Sequence, residues 1–120
     1  MNVAIIGASD DPERYSYQAL ILLKENSHVV FPVHLRLESI EGVKVYRSMK
    51  GIPIPVDTVT MYVGARTASA ELVDAIITAK PRRIILNPGA ENAVLEDMAA
   101  KAGIEVVQAC TLVMLRTGQF

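Results

Sequence analysis

Short runs of β-branched and aliphatic residues alternate along the chain with longer stretches whose apolar positions repeat at helical spacing. Val3-Ala4-Ile5-Ile6 is a continuous apolar run stopped by Gly7, the pattern of a strand buried on both faces. Residues 28–31 predict a second strand, stopped by Pro32, and residues 57–63 a third, ended by Gly64. A fourth spans 82–86 and ends at Asn87-Pro88-Gly89, and a fifth spans 104–107. The first predicted helix covers 16–26, with Ser16 as its N-cap and Ala19-Leu20-Ile21-Leu22-Leu23 apolar on most sides. The second covers 67–80, with Thr67 as cap, Glu71 in the first turn, Lys80 in the last and Pro81 closing it. The third covers 91–102, where Val94, Leu95, Met98, Ala99 and Ala102 form one buried stripe and Gly103 supplies the left-handed end. Residues 111–116 add a last helical turn or two. Residues 37–55 are broken by Gly42, Gly51, Pro53 and Pro55, leaving 43–46 as a short extended piece.

Strands alternating with helices in this way predict an α/β fold. The expected architecture is a Rossmann-like, doubly wound parallel sheet of five strands in three α/β/α layers, in the order 3-2-1-4-5 counted along the chain. At 120 residues the chain makes one domain, 1–120. With no Trp and 5% aromatic residues, its core is aliphatic. Twelve Lys and Arg against thirteen Asp and Glu give a net charge of −1. That balance offers no footprint for nucleic acid or an anionic membrane, so any bound anion must be held by local geometry. One cysteine, Cys110, excludes an intrachain disulfide and a multi-cysteine zinc site, and points to a reducing, cytoplasmic setting. The N-terminus carries no basic segment of a signal peptide, and no apolar run reaches the roughly 18 residues of a membrane span.

In such sheets ligands bind beyond the carboxyl ends of the strands. Three of the loops expected there carry an arginine: Arg14, Arg36 and Arg66. Guanidinium forks pair with phosphate oxygens, and the helix beginning near Ser16 adds free N–H groups and a favourable dipole. The first loop, Gly7-Ala8-Ser9-Asp10-Asp11-Pro12, is not a G-x-G-x-x-G fingerprint, because Ser9 and Pro12 stand at the second and third glycine positions. No acidic residue follows the second strand to take a ribose 2′-hydroxyl. His34 and Arg36 stand there and suit a phosphorylated ribose, with Pro32 and Val33 as an apolar wall for an adenine. Plain NAD is disfavoured and a phosphorylated ADP moiety fits. Gly64 and Gly89 first read as turn residues with positive φ. No catalytic constellation and no metal set is apparent. Cys110 lacks a sequence partner, and Asp10 and Asp11 lack companion ligands.

Gly7-Ala8-Ser9 followed by Pro12, Arg14, Ser16-Tyr17 and Ala19 resembles the opening of the small bacterial CoA-binding proteins. These are single-domain relatives of the N-terminal domain of the succinyl-CoA synthetase alpha subunit. The order of Phe31-Pro32-Val33-His34, Gly42-Val43-Lys44-Val45-Tyr46, Ile52-Pro53, Val56-Asp57, Asn87-Pro88-Gly89 and the Cys110 segment extends the resemblance over the chain. It implies a CoA-binding domain. Gly7, Ala8, Ser9, Arg14, Ser16 and Tyr17 would hold the phosphates. Val33, His34 and Arg36 would lie near the adenosine and its 3′-phosphate, and Val63, Gly64, Asn87, Pro88 and Gly89 would line the pantetheine path. Two positions depart from the pattern: His34 stands where many relatives have Asn, and Asn87-Pro88-Gly89 replaces a more apolar turn. The synthetase's phosphorylated histidine lies in a second domain, so its activity does not carry over. The expectation is a CoA or acyl-CoA binding module that is not itself an enzyme. The rival readings are an NADP-linked oxidoreductase, and a scaffold or subunit of an acyl-CoA ligase complex. The apolar segment Thr111-Leu112-Val113-Met114-Leu115 permits either a homodimer contact or a core turn.

Overall fold

A computed structural model describes residues 1–120. Along the chain run β1 (Asn2–Ile6), α1 (Tyr15–Glu25), β2 (Val29–Val33), β3 (Ser39–Ile40), β4 (Val43–Lys44), a 3₁₀ turn (Met49–Gly51) and β5 (Thr58–Met61). Then follow α2 (Ala70–Ala79), β6 (Arg83–Leu86), α3 (Ala93–Lys101), β7 (Glu105–Gln108) and α4 (Thr111–Arg116). Five strands form one parallel sheet in the order β2-β1-β5-β6-β7. The α/β, Rossmann-like architecture expected from the periodicity is therefore present.

Its strand order differs from the expected 3-2-1-4-5. Counting only the strands of this sheet, the order is 2-1-3-4-5, so the third strand lies beside the first on the side away from the second. The physical reason lies in β2. The chain returns along its outer edge, where Tyr46 N–H donates to Pro32 O (2.8 Å), His34 N–H donates to Tyr46 O (2.9 Å), and Val33 bridges Tyr46. That edge is occupied, and β5 must pair with the free side of β1. Pro32 does not stop the strand, as it was expected to; it sits inside β2. A residue without an N–H is tolerated there because β2 is an edge strand.

Alternation along the strands feeds two cores. Ala4, Ile6, Val59, Met61, Ile84 and Leu86 meet Val73 and Ile76 of α2 and Leu95 and Ala99 of α3. Val3, Ile5 and Val30 meet Leu20 and Leu23 of α1 on the opposite face, with Leu115 of α4 packed alongside. The short antiparallel pair β3–β4 turns through Glu41 and Gly42, both at positive φ. Helix starts also shift. α2 is capped by Ser69, not Thr67: the Ser69 side chain accepts from Leu72 N–H (3.1 Å). Two members of the stripe expected on α3 point outward, Val94 (65% exposed) and Ala102, while Leu95 and Ala99 are buried. No helix is long and apolar enough to cross a membrane.

Candidate functional site

β1 and β5 leave the sheet at the switch in strand order, and a crevice of about 440 Å³ opens over their carboxyl ends. Gly7, Ala8, Ser9, Arg14, Ser16, His34 and Pro88, all expected at the site, line it together. Tyr15 and Tyr62 line it as well and were not foreseen.

The first loop is held by its own side chains. Ser9 Oγ accepts from Asp11 N–H (3.0 Å), Asp11 Oδ1 accepts from Glu13 N–H (3.0 Å), and Arg14 N–H donates to Asp11 O (3.0 Å). These turns deliver the chain into α1 at Arg14, which occupies the N-cap position with extended backbone and no capping side chain. The first turn contains no acidic residue, and the N–H groups of Tyr15, Ser16 and Tyr17 have no intramolecular acceptor. Ser16 is therefore inside the helix and not its cap. Arg14, the free N–H groups of Tyr15 and Ser16 and the positive end of an 11-residue helix meet at the crevice wall.

Gly7 makes the floor. Its φ is +86°, and a Cβ added there would stand 2.8 Å from Val63 Cγ2. Gly64 is not a positive-φ turn residue; it is required by closeness, since a Cβ there would lie 3.0 Å from Gly89 O. Gly89 does take positive φ, and its N–H is held by the Glu91 carboxylate (3.0 and 3.2 Å).

His34 is oriented by backbone. Its Nδ1 accepts from the N–H groups of Arg36 (3.0 Å) and Leu37 (3.1 Å), which places the ring hydrogen of the neutral form on Nε2.

Other expected residues lie outside the crevice. Tyr17 turns away, and its hydroxyl donates to Glu41 Oε1 (2.5 Å), an interaction that raises the phenol pKa. Val33 is buried in the α2/α3 core, because its side chain faces inward from β2. Arg36 and Arg66 are exposed on their loops. Val63, Gly64 and Gly89 shape the rim behind the lining residues. Asn87 is structural: Nδ2 donates to Thr60 Oγ1 and Met61 O (2.8 Å each), and Oδ1 accepts from Thr111 N–H (2.8 Å). It ties β5, β6 and α4 together while 2% exposed. Tyr62 carried a signal in the sequence, since it continues the 58, 60, 62 alternation to the end of the third strand.

The chain is 38% identical over 73 residues to the alpha subunit of an ADP-forming acetate–CoA ligase II from Pyrococcus furiosus, which covers 60% of this chain and 16% of that one. It is 30% identical over 60 residues to the uncharacterized protein YneT of Bacillus subtilis, covering 50% and 44%. The matched stretches thus span less than half of either curated relative. Among solved structures, an uncharacterized protein superposes with a TM-score of 0.90 at 38% identity over 99% of this chain and 97% of its own. A hypothetical protein from Pyrococcus horikoshii superposes at 0.86, with 26% identity over 95% and 81%. The family model described as CoA binding domain matches residues 1–116, and the chain belongs to that family.

Proposed function

We propose that the crevice binds CoA or acyl-CoA, and that the chain acts as a binding module with no catalysis of its own, in a cytoplasmic setting. The observation that carries this reading is the uncapped amino end of α1, where Arg14, Tyr15 and Ser16 line the crevice and the N–H groups of Tyr15 and Ser16 have no acceptor within the chain. Such an arrangement suits a pyrophosphate, and family membership supplies the rest of the ligand. Gly7, Ala8, Ser9, Arg14 and Ser16 would hold the phosphates. The His34 Nε2–H group, left free by the loop, would serve the adenosine 3′-phosphate, with Arg36 reaching in from outside. Pro88, backed by Val63, Gly64 and Gly89, would flank the pantetheine arm. Gly7 must stay without a side chain because a Cβ there would meet Val63 and Tyr62.

Calorimetry with CoA and 3′-dephospho-CoA tests this. A charge-assisted contact to the 3′-phosphate predicts about ten-fold or more tighter binding of CoA. Equal affinities overturn the roles of His34 and Arg36. Thermal stabilisation by NADPH with none by CoA replaces the whole reading with the oxidoreductase one. The match to a ligase alpha subunit favours a second reading, a scaffold or subunit of an acyl-CoA ligase complex. Co-purification of a ligase partner from the source cell, without any CoA-dependent stabilisation, would support it over the first.

A further inference from the structure

Strand β5 carries a polar row on the face covered by α1 and α4. Thr58, Thr60 and Tyr62 alternate with Val59 and Met61, which enter the core on the other face. The lower members of the row are satisfied. Thr58 Oγ1 accepts from Arg83 Nη2 (3.3 Å). Thr60 Oγ1 accepts from Asn87 Nδ2 (2.8 Å) and shares a hydrogen bond with Thr111 Oγ1 (2.8 Å). The uppermost is not: the phenolic oxygen of Tyr62 is buried and has no hydrogen-bond partner. Burial pushes this phenol up to about 12, and the neighbouring Thr60 and Thr111 hydroxyls offset that only in part. It stays protonated, a donor without an acceptor, which weakens a fold. A phenylalanine would pack in the same place without that cost. Tyr62 also lines the crevice, with Gly7 and Pro88.

We infer that the Tyr62 hydroxyl is a recognition donor for a carbonyl oxygen on the uncharged arm of the ligand, reached when the ring tilts from beneath α4 into the crevice. The inference rests on the CoA reading above. A phosphate is the poorer partner, because Arg14 and the free N–H groups belong to the α1 wall while Pro88 and Gly7 bring no charge. The pantetheine arm of CoA offers two amide carbonyls, and an acyl group adds a thioester carbonyl. Tyr62 would thus add specificity for the arm to a site otherwise built for phosphates.

Calorimetry of the wild type and Tyr62→Phe, each with CoA and with adenosine 3′,5′-bisphosphate, which lacks the arm, separates the outcomes. The variant is expected to lose about five-fold in affinity for CoA and nothing for the bisphosphate. Its unfolding midpoint without ligand is expected to equal or exceed that of the wild type. Unchanged CoA affinity, or an equal loss for both ligands, overturns the role of Tyr62 and leaves the CoA reading standing. A lower midpoint for the free variant shows that the fold already satisfies the hydroxyl, and also overturns it. A wild type that does not bind CoA removes the underlying reading instead.

Discussion

The amino ends of α1 and α3 carry the same dipole, follow adjacent regions of the same sheet and are finished differently. At α3 the Asn92 side chain accepts from Leu95 N–H (3.0 Å), Glu96 sits in the first turn, and Asn92 itself is buried. That end is neutralised from within the chain. At α1 the cap position holds Arg14, no side chain accepts from the first turn, and no carboxylate lies in that turn. The difference separates a helix start that secures the fold from one that leaves binding potential for an external anion. The α2 start, capped by Ser69 with Glu71 behind it, belongs with α3.

The strongest way to break this contrast is Arg14→Ala. Its guanidinium makes no ion pair or hydrogen bond within the chain, since the one salt bridge present joins Lys101 and Asp97. The substitution is expected to weaken CoA binding about ten- to a hundred-fold in calorimetry. The unfolding midpoint should stay within the roughly 0.5 kcal/mol typical of surface changes. Affinity unmoved by the change would mean that α1 is not an anion site. Asn92→Ala is the mirror experiment. Denaturant unfolding should show a loss of about 1–2 kcal/mol, and CoA affinity should hold. If binding falls with stability, the two helix ends do not divide the work.

The smallest effect concerns the far end of the sheet. His28 Nδ1 lies 3.2 Å from the Met1 amino group, and its ring packs edge-on against Phe120. Burial lowers its pKa from the ordinary 6.5, helped by the Met1 ammonium and by Arg83. The unfolded chain therefore takes up the proton first as pH falls. Stability is complete above about pH 6.5 and declines as pH drops through the lowered folded value. Urea midpoints at pH 7.5 and 5.5 should differ slightly, and His28→Gln should remove that difference without altering CoA binding. A pH dependence untouched by the substitution assigns the titration to another group.

The elements were legible because their burial is nearly complete. β1 and β6 read as unbroken apolar runs, and Gly103 ends α3 at φ +75° as its position implied. Strand order was harder, since a crossover helix does not say on which side of β1 the next strand lands. Pro32 held the missing information: a proline within a strand assigns that strand to an edge, which 3-2-1-4-5 would violate. In the site, Gly7, Ala8, Ser9, His34 and Pro88, named for their place just past a strand end, meet at the crevice, while Arg36 and Arg66 stay exposed on their loops. Tyr17 and Val33 do not join them, because one step turns a side chain by about 100° on a helix and reverses it on a strand. Tyr17 thereby joins Glu41 and Val33 joins the core.

The crowding between Gly7 and Val63 also limits how this chain can drift in sequence. A methyl at position 7 collides with the valine, and trimming the valine leaves the Tyr62 backbone carbon 3.3 Å away and the positive backbone angle unrelieved. No order of single substitutions gives a comfortable intermediate, so the floor of the crevice resists replacement of its glycine whatever the crevice holds.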